Sequence, residues 1–376
     1  MKNRKKLKLG AVLEGVGWNY MGWRHPDMPA DASEDIDHYV KQAKVAENAK
    51  FDTLFLIDVS HIGPGQIPHY LSFFEGVSLM SALSMATKNI GLSATIASSY
   101  GDPYTAARQI LSLDKISKGR ASVNMITSNP GGLVNFSRGH LSKSDLYPMQ
   151  KEFMEIVLGL WDTYEDDAFI RDKASGVFLD TNKMHALNYR GNYFSVDGPL
   201  SISRSVQGRP VLYTAGTSTN MMDNAAKYTD GALIHNNSLA ESVGMATELK
   251  RRVALEGRSP EDFIVTVVEN PIVGRTEKEA EEKFRELESL MPQYRIPKPR
   301  FFGSAEKVAD EVQEWYEAGA MDLFLVKQEY PTGLQDFTDL VVPILQDRGI
   351  FRTEYESNTL RGNLELPIPD SRYAAL

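Results

Sequence analysis

A closed (β/α)8 barrel, an α/β TIM barrel with insertion segments at the C-terminal face, is the fold this sequence predicts, on three observations. Strand-like and helix-like stretches alternate along the whole of the 376 residues. That βα order requires right-handed crossovers and therefore parallel strands, and eight such units favour closure over an open sheet. The first strand-to-helix connection also lacks the Gly-x-Gly-x-x-Gly turn that marks the doubly wound alternative. The chain reads as a single domain, 1–376, with an insertion at about 163–208 and an extended surface tail at about 351–376.

The elements follow in order. Leu7–Leu13 reads as the first strand, and Ile36–Ala49 has helical spacing with Asp31 or Ser33 as cap. Thr53–Ile57 is a short apolar run, the pattern of a strand buried on both faces. Helix Tyr70–Ala86, strand Ile90–Ala94 and helix Pro103–Ile116 come next, the last with proline near its first turn. Strand Arg120–Ile126 and helix Met149–Trp161 complete the first half. From Thr163 to Gly208 the period is lost among turn-punctuated pieces, a length unusual for a plain connection, and a covering role is expected of it. Alternation resumes with strand Val211–Tyr213, helix Met222–Tyr228, strand Gly231–Ile234 and helix Leu239–Leu255. Strand Ile264–Val268, helices Glu277–Leu290 and Ala305–Ala318, strand Leu323–Val326 and helix Leu334–Asp347 finish the set.

Composition narrows the chemistry. Hydrophobic content of 42% and charged content of 24% are those of a globular protein. The net charge of −9 argues against nucleic acid or an acidic membrane surface as main partner. No cysteine is present, which removes disulfides, thiolate metal sites and a cysteine nucleophile. The seven histidines show no His-x-x-x-His or His-Glu-x-x-His spacing, so no metal site is expected. Gly-x-Ser-x-Gly and a Walker loop are missing too. The basic start is not followed by an apolar stretch able to span a bilayer, and a cytoplasmic location is expected.

The working face of such a barrel is the set of loops at the C-terminal strand ends. Polar residues gather there: Asp58, Thr95, Thr127-Ser128, Thr214–Ser218, His235-Asn236-Asn237, Glu269-Asn270 and Lys327-Gln328. Convergent polar groups over an apolar floor are how small-molecule sites are built. The stretch Pro210–Asn220 runs from a strand through Gly216 and three hydroxyl residues, Thr217, Ser218 and Thr219, into a helix. It reads either as an ordinary N-cap or as an anion site on the free N–H groups of a first helical turn. Trp18, Tyr20 and Trp23 read either as core or as an aromatic wall over a flat ligand.

A series of signatures runs in order from Trp23-Arg-His-Pro26 through Lys50–Asp58, Gly91–Thr95, Pro103–Arg108 and Leu113–Arg120. Asn124–Ser128, Lys151-Glu-Phe153, Gly198-Pro-Leu200 and Gln207–Ser218 continue it. Together they resemble the bacterial luciferase-like flavin-dependent monooxygenases, in the branch of nitrilotriacetate monooxygenase component A, which also holds sulfone, EDTA and long-chain alkane monooxygenases. The resemblance implies a TIM barrel that binds reduced FMN (FMNH2) supplied by a separate NAD(P)H-dependent flavin reductase. It places Asp58 and Thr95 at the isoalloxazine end, Asn124 and Thr127 near the ring, and Tyr147 against the flavin. Gly216 and Ser218 would hold the phosphate, the role also read from the helix terminus. Three departures touch these positions. Ser122-Val-Asn124 replaces Gly-Trp-Asn, Lys143–Tyr147 replaces His-x-x-Arg-Tyr, and Thr214–Met221 replaces Gln-Ala-Gly-x-Ser-x-x-Gly. Lys143 either restores a cation near the phosphate or is solvated.

For such an enzyme the resemblance implies that FMNH2 and O2 form a C4a-(hydro)peroxide, which transfers one oxygen to a small N-, S- or C-containing substrate. Water must be kept out, a task expected of segment 163–208 and of the loop Asn129–Ser144. No catalytic acid or base is assigned; His25, His61, His140 and His235 lie near strand tops. The rivals are an F420-dependent oxidoreductase of the same fold and a non-catalytic flavin-binding subunit. The helices Tyr70–Ala86 and Pro103–Ile116 carry enough apolar residues for a homodimer face, which the resemblance implies as well, as a dimer or a dimer of dimers.

Overall fold

The computed structural model describes residues 5–59, 61–127, 135, 142, 144–235 and 238–374. Eight parallel strands close on themselves. They are β1 (Lys8–Val12), β2 (Thr53–Phe55), β3 (Gly91–Ala97) and β4 (Ala121–Ile126), then β5 (Val211–Ala215), β6 (Gly231–Ile234), β7 (Ile264–Glu269) and β8 (Leu323–Val326). Each neighbours its successor, and β8 returns to β1 with Lys8 opposite Leu323 and Ala11 opposite Val326. Every expected barrel strand is there.

Around them stand α1 (Ile36–Asn48), α2 (Gly76–Ala86), α3 (Pro103–Ser117) and α4 (Leu146–Trp161). The second half adds α5 (Thr219–Tyr228), α6 (Leu239–Leu255), α7 (Glu277–Leu290) and α8 (Ala305–Glu317). The cap of α1 is Asp35, whose side chain accepts from Asp37 N, rather than Asp31 or Ser33. The expected helix Tyr70–Ala86 is broken: Pro68–Leu71 forms one turn, and α2 starts afresh where Glu75 accepts from Val77 N and Ser78 N.

Side chains alternate along each strand. Leu9 and Ala11 of β1 and Leu13 just after it, like Phe324 and Val326 of β8, face the surrounding helices. Val12, Phe55, Val211, Tyr213, Leu233, Ile264, Leu323 and Leu325 fill the cylinder. The C-terminal tail, expected along the surface, enters this inner cluster through Leu360, Leu364 and Leu366. Gly91 makes room for it, since a Cβ there would lie 2.5 Å from Leu360 Cδ1. Arg361 reaches Asp230 with both guanidinium nitrogens, at 2.9 and 2.8 Å. The tail thus seals the N-terminal end of the barrel.

Segment 163–208 joins α4 to β5, and its contacts run along α3 and α4. Glu152 accepts from Asn192 N and Tyr193 N at 2.8 and 2.9 Å, and Asp114 accepts from Ser205 Oγ and Gln207 Nε2 at 2.5 and 2.7 Å. The cover comes from elsewhere, from the connection β7–β8. There a small parallel pair, Ile272–Gly274 with Phe302–Ser304, brackets α7 and the stretch 291–301. No helix among the described residues is long and apolar enough to cross a membrane.

Candidate functional site

At the C-terminal mouth of the barrel lies a cavity of about 630 Å³. Its wall follows the strand ends around the ring: Ile57 after β2, Ala215-Gly216 at β5, His235 after β6, Glu269-Asn270 at β7 and Lys327 after β8. Trp18, Asn19 and Tyr20 from the loop after β1, and Ile296-Pro297 from the β7–β8 connection, roof it. The two roof pieces are joined: Tyr20 stacks on Tyr294 at 4.8 Å and donates to Gly65 O at 2.7 Å, while Arg24 donates to Leu290 O at 2.5 Å. Trp18 and Tyr20 therefore form the aromatic wall, whereas Trp23 does not line the cavity and is exposed. No residue of 163–208 lines it, so the covering role expected there falls to 18–20 and 296–297. The other expected cover, Asn129–Ser144, falls almost entirely outside the described residues, as do Ser128, Asn236, Asn237, His140 and Lys143.

The turn after β5 has the anatomy read from its sequence. Gly216 sits at φ +139°, a backbone that side chains rarely adopt, and it opens directly onto the cavity. Ser218 caps α5, its hydroxyl accepting from Met221 N at 3.2 Å and donating to Tyr147 Oη at 2.7 Å. Asn224 of α5 donates to Tyr147 O and Gln150 Oε1, which fixes α4 beside the turn. The result is an exposed helix N-terminus with two hydroxyls and unspent first-turn N–H groups, a place where an oxyanion is stabilised.

Two more of the expected residues meet across β3 and β4. Thr95 and Asn124 are register partners; Asn124 Nδ2 donates to Thr95 Oγ1 at 3.3 Å and Thr95 Oγ1 donates to Leu56 O at 2.7 Å. The Asn124 Oδ1 atom is buried with no partner among the described residues. Such an orphan acceptor costs about 1–3 kcal/mol unless a ligand donor reaches it. Asp58 lies at the start of α2, accepting from the backbone of Gly76 and Val59; burial above all pushes its carboxyl up to about 6. Thr127 follows β4 and is half-buried. Of the expected flavin residues Gly216 lines the main cavity, while Asp58, Thr95, Asn124, Thr127, Tyr147 and Ser218 do not.

A second cluster joins Lys327 and Glu269-Asn270, named from the sequence, to two glutamates that the sequence reading misses, Glu14 and Glu329. Glu14 continues the inward-facing series of β1, and Lys327 that of β8, where it follows Leu323 and Leu325. Glu14 is fully buried, and neither carboxyl oxygen has a partner among the described residues. Burial pushes it up to about 8 against the opposing pull of Lys327. Such a position favours the protonated carboxyl, because an unpaired charge there costs several kcal/mol. Glu329, buried, accepts from Asn270 Nδ2 at 2.5 Å, and Asn19 donates to Glu329 O at 2.7 Å. Glu269 accepts from Arg300 at 2.8 Å. The one signal available beforehand was a glutamate closing the apolar run Leu9–Leu13.

Of the histidines near strand tops, His235 lines the cavity. His25 is buried against Tyr330, 3.1 Å from its hydroxyl. No cluster of three or more histidine, aspartate and glutamate side chains suited to a metal occurs among the described residues.

Comparison with known proteins agrees with this architecture. The family model described as luciferase-like monooxygenase matches residues 19–321. N-acetyl-S-(2-succino)cysteine monooxygenase of Bacillus subtilis is 37% identical, with 99% of each chain covered. Nitrilotriacetate monooxygenase component A of Aminobacter aminovorans is 31% identical over 100% of this chain and 99% of its own. The crystal structure of a long-chain alkane monooxygenase superposes with a TM-score of 0.89 at 28% identity, covering 99% of both chains. This chain belongs to the luciferase-like, flavin-dependent monooxygenase family, with nitrilotriacetate monooxygenase component A among its homologues.

Proposed function

We propose that this chain is the oxygenase component of a two-component system, which takes FMNH2 from a separate NAD(P)H-dependent flavin reductase and uses O2 to oxygenate a small organic substrate. The observation that carries this is the Gly216–Ser218 turn heading α5 and opening onto an apolar cavity at the barrel mouth. Gly216, Ser218 and Tyr147 would hold the phosphate end. Thr95 and Asn124 would meet the ring, the orphaned Asn124 Oδ1 accepting from it. Asp58 and Thr127 stand beside that path. When bound, reduced FMN supplies the electrons that activate O2.

The chain's own work is binding, orientation and exclusion of water. Tyr20 and Tyr294, stacked over the mouth, and Ile296 limit solvent entry, a requirement for any site that handles a reactive oxygen species. Self-association would use α2 and α3, where Met85 and Ile116 are exposed apolar side chains. The deciding experiment titrates the protein with FMN and FMNH2 by fluorescence quenching, then follows NADH-driven oxygen use with a generic reductase. Binding of FMNH2 with reductase-dependent oxygen consumption supports the reading; selective binding of F420, or flavin binding without oxygen use, replaces it with one of the rivals.

A further inference from the structure

Resting on that reading, we propose that Lys327 is the specificity-determining residue for the substrate, receiving a carboxylate group on the side of the cavity formed by β8 and β1. The ammonium lies 3.4 Å from the centroid of the Trp18 ring. Among the described residues no oxygen pairs with it or accepts from it. It lines the cavity, so a partly desolvated cation faces the space where a small molecule sits.

The groups around it do not satisfy this charge. Glu14, behind it, is fully buried, its carboxyl raised by that burial against the pull of Lys327, and it makes no hydrogen bond or close ion pair with the ammonium among the described residues. Glu269 is engaged by Arg300, and Glu329 by Asn270. Both asparagine side chains in the wall spend N–H groups on Glu329, Asn19 on its carbonyl and Asn270 on its carboxylate. That leaves Lys327 as the charged donor on this wall, with His235 and the Trp18 indole N–H as neutral donors among the described lining residues. Burial pulls Lys327 below its ordinary value while Glu14, Glu329 and Glu269 push it back. An arriving carboxylate favours the charged form and forms a charge-assisted hydrogen bond.

Position separates this site from the phosphate turn. Gly216 follows β5, and Lys327 follows β8, three strands further around an eight-strand ring. Two anions can therefore be held at once, one at each side of the mouth, without sharing a donor.

The test uses calorimetric titration of the full chain, with and without FMN, against 2-(methylthio)succinate and its diamide. The pair differs in charge while sharing size and an oxidisable sulfur. The diacid is expected to bind roughly ten- to a hundredfold more tightly than the diamide, the ratio of one charge-assisted contact. Lys327→Met should abolish that preference, Lys327→Arg should keep most of it, and neither should change FMN affinity. Equal binding of the two probes by the wild-type chain overturns the proposal, and so does failure of both to bind. A diacid preference that survives Lys327→Met, or a loss of FMN affinity in that variant, overturns it as well. The wild-type comparison needs no variant to fold. Titration without flavin keeps the result separate from the oxygenase reading, which falls only if the wild-type chain binds no reduced flavin.

Discussion

The two ends of the barrel solve the problem of buried charge in opposite ways. At the N-terminal end Asp230 is met by both arms of Arg361 and by Leu212 N at 2.9 Å, and these contacts, opposed by burial, hold its carboxyl well below the usual range. At the C-terminal end, among the described residues, the Glu14 carboxyl has no hydrogen-bond partner, Lys327 rests on an aromatic ring, and Asn124 keeps an orphan acceptor. The acid at the sealed end is paired, although Nε of Arg361 and Nε of Arg209 have no partner among the described residues; an unpaired carboxyl at the open end costs stability and is retained where something else is to be bound. The contrast assigns stability to one end and chemistry to the other, as barrels of this class distribute them.

The strongest way to break this contrast is at the sealed end. Arg361→Met removes both ion-pair contacts of Asp230, leaving it Leu212 N and the charge of Arg209, and should lower unfolding stability by about 3 kcal/mol, measured by urea titration. FMN affinity of the protein that remains folded should not change. If flavin affinity falls in step with stability, the two ends are not separate.

The pH dependence of the two carboxyls runs in opposite directions. Asp230 titrates lower in the folded state than in the unfolded one, so its contribution is present above the ordinary carboxylate range and lost as pH falls. Glu14 titrates higher, from 4.5 to about 8, so the unfolded state releases its proton first and stability declines as pH rises between those values. By pH 7 the loss amounts to about 3 kcal/mol at most. Glu14→Gln should flatten that decline in denaturant midpoints taken from pH 5 to 8. An unchanged slope would mean that Glu14 is ionised in the folded protein.

Smaller effects sharpen the picture at the open end. Ser218→Glu places an acid where the phosphate is proposed to dock and should reduce FMN affinity by roughly tenfold or more, about 1.4 kcal/mol. Its stability cost is that of a lost cap, about 1 kcal/mol or less. Unaltered flavin binding would remove the phosphate from this turn. Tyr294→Ala removes the stack on Tyr20, worth about 1 kcal/mol. It should leave global stability nearly unchanged while raising hydrogen peroxide released per NADH consumed.

The strands were legible because short apolar runs such as Leu54–Leu56 and Leu323–Val326 are bounded by polar or turn residues, and the βα alternation forces them parallel. The turn at Gly216–Ser218 was legible because capping is local. Glu14 was not, since burial of an isolated glutamate depends on β8 returning to β1, a contact between residues more than 300 positions apart. The tail was misread for the same reason: Leu360, Leu364 and Leu366 surround a single helical turn, Leu360–Asn363, whose partners are strands drawn from the whole chain. The cover was sought in segment 163–208 because it was long. Connectivity from α4 to β5 sends that segment along α3 and α4, and the short stretch at Ile296-Pro297 does the covering instead.

The plug formed by Leu360–Leu366 has a consequence for biosynthesis. A ribosome shields the most recently added residues in its tunnel, so the cylinder cannot reach its final packing until residues 360–366 have emerged. Earlier in translation the lower opening exposes Phe55, Val211 and Leu323 to whatever binds greasy surfaces, and a chain lacking residues 360–366 would stay in that condition.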